Sequence, residues 1–271
     1  MSEDLEPRFE PGTSKRIRRP LIRRVVAVAL IISATMVTAC HAFPVPPLYA
    51  AKAIRATVVD ATAGSPIEGA VVVAEWQLQT MSGEGPRLQV SEAVTDRDGR
   101  FVIPGWGPKF RPPLTHFGNK SPYLVIFKPG YVPVRLYNAP RSQFAALRAR
   151  TDLPASEISY WIGIDGDPYD AIQESLWNGM AIRIERFQGT PEAWFRHIEF
   201  ASHDVLWRDA KYAPTYFQAL AAERDYFTRH PLDPQTVRSE VVNAVFNQID
   251  ILGGVHNEHG GHNDVRARSG R

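Results

Sequence analysis

The chain has 271 residues and a single cysteine, Cys40, so one copy cannot form an internal disulfide. It also lacks a Gly-x-Ser-x-Gly elbow, a His-Glu-x-x-His motif and a glycine-rich phosphate-binding loop. These absences argue against the hydrolases, metalloproteases and nucleotide-binding enzymes that carry such motifs. Charge is missing from residues 25–39, a run of 15 uncharged side chains. That run is shorter than the roughly 20 residues a helix needs to cross a bilayer.

The first 24 residues contain seven basic and four acidic side chains, a net charge of +3. A basic segment followed by a short apolar run is typical of a secretory signal peptide. The run leads into Val37-Thr38-Ala39-Cys40. This end resembles the lipobox of bacterial lipoprotein signal peptides, although leucine is commoner in that family where Val37 stands.

The lipobox resemblance implies that residues 1–39 are a signal peptide and that Cys40 is lipidated. A stable attachment needs more than one acyl chain. The mature protein would then be lipid-anchored in the bacterial cell envelope and face the periplasm. The alternative is an ordinary small residue at Cys40 within an uncleaved anchor helix.

Subtracting the leader's +3 from the total of +2 leaves the mature chain with a net charge of −1. A chain without a positive field is a poor partner for nucleic acid. The expected partners are therefore the membrane, through the lipid anchor, and envelope proteins or glycans. Hydrophobic residues make up 44% of the chain, enough for a substantial core. Residues 40–52 are rich in proline, which predicts an extended spacer.

Residues 53–140 read as short strands separated by turns. Residues 54–59, 70–76, 91–95, 101–103, 123–128 and 132–136 are rich in β-branched and aromatic side chains. This pattern predicts an antiparallel sandwich. Residues 150–254 instead show helical spacing of apolar residues, which makes the predicted fold class α+β.

Four helices are predicted in the second region. The first runs from Asp167-Pro168 to Gly179, and the second begins at Thr190-Pro191. The third covers residues 217–227, and the fourth runs from Asp233-Pro234 to the glycine pair after Leu252. The apolar stripes of these helices must pack either on one another or on an outer face of the sandwich.

Two turn motifs carry a second resemblance. Residues 64–70 read Gly-Ser-Pro-Ile-Glu-Gly-Ala, and residues 95–101 read Thr-Asp-Arg-Asp-Gly-Arg-Phe. Aspartate side chains that bond their own backbone, together with a glycine that tolerates positive φ, favour tight turns. With Lys-Pro-Gly-Tyr at residues 128–131, these segments are similar to the carboxypeptidase regulatory-like, or transthyretin-like, β-sandwich family. That resemblance covers about a third of the chain and implies a module that is mostly non-catalytic.

The chain departs from that family in a longer insert, residues 105–121. Its stretch Arg-Pro-Pro-Leu-Thr-His-Phe at residues 111–117 looks like the intradiol ring-cleavage dioxygenases, which share the sandwich and hold iron with two tyrosines and two histidines. Leu114 stands where that family has the first histidine, and Phe110 stands where a tyrosine is expected, so only His116 remains. Neither replacement can donate to iron. We therefore expect no core cofactor.

The aromatic insert is the candidate binding surface, with Trp106, Phe110, His116 and Phe117 as its residues. Exposed rings on a sandwich stack on sugars or peptides. The alternative is that these rings fill the core. The expected function is a non-catalytic binding or structural module. The alternative function is a diverged metal-dependent enzyme with a dioxygenase-like site in the insert.

Residues 255–271 are polar, rich in glycine and without periodicity, which predicts a disordered tail. The tail contains His256, His259 and His262, and neutral imidazoles bind divalent metal ions. The alternative is a solvated, histidine-rich terminus, because composition alone does not define a metal geometry.

Overall fold

The computed structural model describes residues 47–117, 121–150, 153–160, 170–204 and 211–253. The predicted signal peptide, the lipidation candidate Cys40, and His256, His259 and His262 lie outside the described residues. The described part has the predicted α+β composition, with largely antiparallel sheets and several helices.

Eleven strands are described. They are β1 (Leu48–Ala51), β2 (Ile54–Asp60), β3 (Val71–Thr80), β4 (Gly83–Val94), β5 (Arg100–Ile103), β6 (Trp106–Phe110), β7 (His116–Phe117), β8 (Tyr123–Phe127), β9 (Val134–Leu136), β10 (Ile172–Gln173) and β11 (Ala181–Ile184).

The largest sheet has the order β4-β3-β8-β9, and β7 also pairs with β3. Its central strand β3 is buried along most of its length. Val71 and Val73 belong to the core cluster that contains the helices. Val72 and Ala74 are equally buried, and because side chains alternate along a strand they lie on the other face. Burial on both faces explains why residues 70–76 read as a continuous apolar run.

The remaining strands form two small sheets, β10-β1-β6 and β11-β2-β5. Strand β1 lies within residues 40–52, which the sequence predicted to be a spacer. Tyr49 and Ala51 are buried there, and β1 pairs with β6 and β10. The spacer prediction is wrong from Leu48 onward because the prolines stop at Pro47 and the next residues pair as a strand.

The two predicted turn motifs meet in the structure. The Thr95 hydroxyl donates to the Ile67 carbonyl at 2.7 Å and accepts the Ala70 N–H at 2.8 Å. Asp96 accepts the backbone N–H of Arg100 at 2.8 Å, which closes the second turn. Gly99 has φ +70°, and a Cβ on it would lie 2.4 Å from the Val58 carbonyl oxygen. Only glycine fits this position.

Six α-helices are described, after a 3₁₀ turn at Arg141–Gln143. They are α1 (Phe144–Arg148), α2 (Ala155–Tyr160), α3 (Pro191–Asp204), α4 (Pro214–Ala222), α5 (Arg224–Arg229) and α6 (Ser239–Leu252). No described helix is long and apolar enough to cross a bilayer.

The helices pack on one another and on strands β3 and β8 of the largest sheet. Phe127 on β8 stacks on Trp194 of α3 with centroids 6.4 Å apart, and its ring meets Tyr216 of α4 edge-on at 6.2 Å. Phe217 and Phe246 belong to the same buried cluster. The apolar stripe predicted for the second helix is confirmed by the burial of its residues Trp194, Ile198 and Ala201.

The predicted helix from Asp167 to Gly179 is wrong within the described residues 170–179. Strand β10 covers residues 172–173 and pairs in parallel with β1, and a turn follows at residues 176–179. Asn138 captures the following backbone, because its Nδ2 donates to the Glu174 carbonyl at 2.8 Å and its Oδ1 accepts the Leu176 N–H at 2.7 Å. Long-range partners therefore take the backbone groups that a helix would have used.

Three other boundaries differ from the predictions. Strand β11 lies inside residues 150–254, which were predicted to be helical, and it pairs in parallel with β2. The third predicted helix is divided into two helices, α4 and α5, by a break at Glu223. The fourth begins at Ser239 because Asp233 closes a separate turn by accepting the N–H of Gln235 at 3.0 Å.

Candidate functional site

The insert divides its four candidate residues between surface and core. Phe110 is 80% exposed, whereas Phe117 is buried and its ring lies 4.4 Å from that of Tyr49. Trp106 is half-buried and meets Trp76 edge-on, with centroids 5.5 Å apart. The core interpretation therefore fits Phe117 and the surface interpretation fits Phe110.

His116, the one histidine left from the dioxygenase pattern, is half-buried in β7. Its Nδ1 lies 2.8 Å from the carbonyl oxygen of Phe117, a backbone partner. Leu114 is 79% exposed with φ 58°, so the position of the missing first histidine is on the surface. Across the described residues, no group of three or more His, Cys, Asp or Glu side chains is arranged to hold a metal ion.

A polar interior lies beside the insert. Arg87 donates through Nε to Glu75 at 2.8 Å, and both side chains are almost completely buried. The indole N–H groups of Trp76 and Trp106 and the side-chain amide of Gln77 are buried without a hydrogen-bond partner among the described residues. Buried polar groups of this kind are usually satisfied by water or a ligand. The only sequence signal was the charge of Glu75 inside an apolar run.

A second polar cluster forms where β2 ends. The buried carboxylate of Asp60 accepts the backbone N–H groups of Thr62 and Ala63, both at 2.9 Å. It also accepts the Tyr131 hydroxyl at 3.1 Å and the Arg186 Nε at 2.6 Å. The Arg186 guanidinium also lies 5.1 Å from the centre of the Tyr131 ring.

These hydrogen bonds set the ionisation of the cluster. The N–H of Ala63, the Arg186 guanidinium and the other donors lower the pKa of Asp60 from 3.8 to about 2. Burial and the bond to Asp60 raise the pKa of Tyr131. Asp60 is therefore a fixed anion whose lone pairs are already used, which makes it a structural anchor for Arg186 rather than a general base.

Arg186 and His197 line an open cleft of about 550 Å³. The Arg186 side chain is 62% exposed although its Nε is bound to Asp60. His197 packs edge-on against Phe187 with centroids 5.4 Å apart. Burial lowers the pKa of His197, so the imidazole is neutral at neutral pH. The cleft thus combines the Arg186–Asp60 ion pair, the Glu185 side chain, a neutral imidazole and an aromatic wall, which suits a small polar group.

Phe187 also lines a smaller hollow of about 190 Å³. Glu223 lines it and accepts the indole N–H of Trp194 at 2.7 Å. Burial raises the pKa of the Glu223 carboxyl, while the bond from Trp194 and the charge of Arg229 oppose that shift. The residues that line both depressions come from outside residues 105–121.

Sequence reasoning missed this second cluster. Asp60 and Arg186 are 126 residues apart, and each is the kind of polar residue that loops commonly contain. The predicted surface residues and these residues do not form a single site. In comparisons with known proteins, no family model and no curated protein matches this chain.

The first prediction separates core from surface within the insert. Phe117→Ala should lower the free energy of unfolding by about 3–5 kcal/mol because it removes a buried ring. Phe110→Ala should change it by less than about 0.5 kcal/mol because that ring is exposed. Guanidinium denaturation followed by tryptophan fluorescence measures both, and similar values for the two variants would contradict the placement of Phe117 in the core.

The second prediction concerns Asp60. Because its pKa is lowered on folding, its ionised form stabilises the fold above pH 3.8, and this contribution disappears as the pH falls towards 2. Asp60→Asn should therefore unfold at less denaturant than the wild type at pH 6, and the difference should shrink between pH 4 and 2. Asp98→Asn, at an exposed ion pair, is the matched control and should show little change. A difference that is independent of pH would contradict the lowered pKa.

The third prediction concerns Glu223, whose shift has the opposite sign. A carboxyl with a raised pKa destabilises the fold when it ionises, so this loss is absent below pH 4.5 and develops as the pH rises through the raised value. Glu223→Gln keeps an acceptor for Trp194 and removes the charge. We expect a higher melting temperature than the wild type at pH 8 and an equal one at pH 4.

Glu68→Gln is the control for this experiment, because the Glu68 side chain is 64% exposed and 3.9 Å from Arg97. Its melting temperature should follow the wild type at both pH values. A stabilisation of equal size at pH 4 and pH 8 in Glu223→Gln would show that ionisation of Glu223 is not its cause.

Proposed function

We propose that this chain is an envelope lipoprotein whose folded part is a non-catalytic binding module. In this proposal Cys40 carries the lipid anchor and the folded part faces the periplasm. The observation that supports a binding role is the surface placement of the insert, where Phe110 and Leu114 are both about four-fifths exposed. Exposed apolar side chains that lie close together mark interaction surfaces.

The proposed family of the strand-rich part is the transthyretin-like β-sandwich. Two features support it. The motifs at residues 64–70 and 95–101 are joined through Thr95. The small sheet that contains β1 and β6 contacts the largest sheet through aromatic pairs, Tyr49 with Phe117 and Trp76 with Trp106. In that arrangement the helices cover the outer face of the largest sheet.

The alternative, an enzyme with its site in the insert, has less support from the geometry. Such a site needs polar groups that converge near His116. The ring of His116 instead bonds to a backbone carbonyl, and Leu114 and Phe110 bring no donor atom to it. Binding is therefore the function we propose, and envelope proteins, glycans or the membrane itself are the partner classes.

The anchor is tested by cell fractionation. Cys40→Ser removes the thiol that would be acylated, so we expect the protein to move from the membrane fraction to the soluble fraction. His41→Ala retains the thiol and should remain with the membranes. Mass spectrometry of the wild-type N-terminal peptide should show a start at Cys40 with acyl chains. Retention of Cys40→Ser in membranes, with an intact N-terminus, would support an uncleaved anchor helix instead.

A further inference from the structure

Four exposed apolar side chains lie at one end of the strand-rich part. Met81 is 99% exposed in the β3–β4 turn, Leu114 and Phe110 belong to the insert, and Leu48 is 37% exposed at the start of β1. We call Leu48, Met81, Phe110 and Leu114 the apolar tip. Lone exposed apolar residues are common, but a group of them on neighbouring segments indicates a surface with a partner.

Strand pairing brings these segments together. Leu48 and Phe110 are direct partners in the β1–β6 pair. Phe117 pairs with Leu78 near the end of β3, and its ring packs on Tyr49, the residue after Leu48. Four segments therefore meet at one end of the sheets: the start of β1, the end of β6, the loop before β7 and the turn after β3.

The helical cluster occupies the other end of β3. Val71 and Val73, at the beginning of that strand, belong to the helix-containing core cluster. Met81 follows the last residue of β3, and ten residues of strand span about 30 Å. The apolar tip is thus far from the apolar surface that the helices use for their own packing.

The charges around the tip suit an anionic surface. Lys109 and Arg111 flank Phe110, and residues 105–117 contain no acidic residue, while Glu84 is exposed three residues after Met81. The Lys109 ammonium turns back towards Gln89 and the Trp106 ring, at 2.5 Å from the Gln89 side-chain oxygen. Arg111 instead donates to the carbonyl of Thr115, the residue after Leu114. Apolar side chains with adjacent basic groups favour the interface of a membrane that contains anionic lipids.

The covalent chain limits how far the tip can be from an anchored Cys40. Seven residues separate Cys40 from Leu48. Even a fully extended chain of this length spans no more than about 28 Å. An acylated Cys40 would therefore hold Leu48, a member of the apolar tip, close to the bilayer surface.

We infer that the apolar tip is a membrane-contact surface that rests in the interfacial region of the bilayer to which Cys40 is attached. This inference rests on the proposed lipidation and specifies lipid as the component that the insert binds. The short connection and the apolar tip would orient the protein with the strand ends towards the lipid and the helices away from it. Phe110 and Leu114 would then act as contacts to the headgroup region.

The test measures how deeply a label at the tip enters the bilayer. In a lipidated protein the Cys40 thiol is consumed, so a cysteine introduced at Leu114 is the only free thiol. The full-length mature Leu114→Cys protein, labelled with an environment-sensitive fluorophore, is reconstituted in vesicles of phosphatidylcholine and phosphatidylglycerol. The matched control carries the label at Ile251→Cys, an exposed position on α6.

We expect lipids with a spin label just below the headgroup to quench the fluorophore at position 114 about twofold or more over position 251, because interfacial side chains insert about 5–10 Å. A quencher dissolved in the aqueous phase should quench the fluorophore at position 251 more strongly than the one at position 114. Phe110→Ser with Met81→Ser should abolish the difference, whereas Phe200→Ser, at a 65% exposed phenylalanine on α3, should leave it unchanged.

Two outcomes would overturn the inference. Equal quenching at positions 114 and 251 in a protein whose mass confirms acylation would show that the tip stays in water while the anchor is correct. Protection of the fluorophore at position 114 from the aqueous quencher would point to a second copy of the chain if it persists without vesicles and increases with protein concentration. Labelling of two thiols, with no acyl mass, would show instead that the proposed anchor has failed.

Discussion

Burial of both faces of β3 is the constraint on which the rest of the structure depends. One face packs against the aromatic helix cluster through Val71 and Val73. Val72 and Ala74 are buried on the other face, and Trp76 farther along β3 meets Trp106 of β6 edge-on. A strand that is covered on both sides holds its neighbours in one register through close packing, because a shift of one residue would place each side chain in a space shaped for a different one. The helices are thereby held near the beginning of the strand and the insert near its end.

The polar groups follow from this arrangement. Within the buried part of β3, Glu75 pairs with Arg87, because buried charges persist only when they are paired. Asp60 serves a similar role at the end of β2, where its carboxylate collects two backbone N–H groups, a hydroxyl and Arg186. That anchor orients Arg186 at the edge of the cleft, so the cleft is built around an ion pair of fixed geometry.

Local sequence signals predicted the features with short-range causes. The turn of Asp96 and Gly99 was recognisable because an aspartate that bonds its own backbone and a glycine with positive φ are determined within a few residues. The apolar stripe of α3 was recognisable for the same reason. The segment before Gly179 was mispredicted because Asn138 and β1, both distant in sequence, capture its backbone. No local signal joins Asp60 to Arg186.

By itself, the sequence determined the α+β class, most strands of the β-rich half, the tight turns and the apolar stripe of α3, since each depends on neighbouring residues. It also carries the lipobox-like segment that ends at Cys40. Only the tertiary structure decided that Phe117 enters the core while Phe110 stays on the surface, because burial depends on which strands pack together. It likewise placed Leu48, Met81, Phe110 and Leu114 at one end of the sheets, since backbone pairing brings their distant segments together.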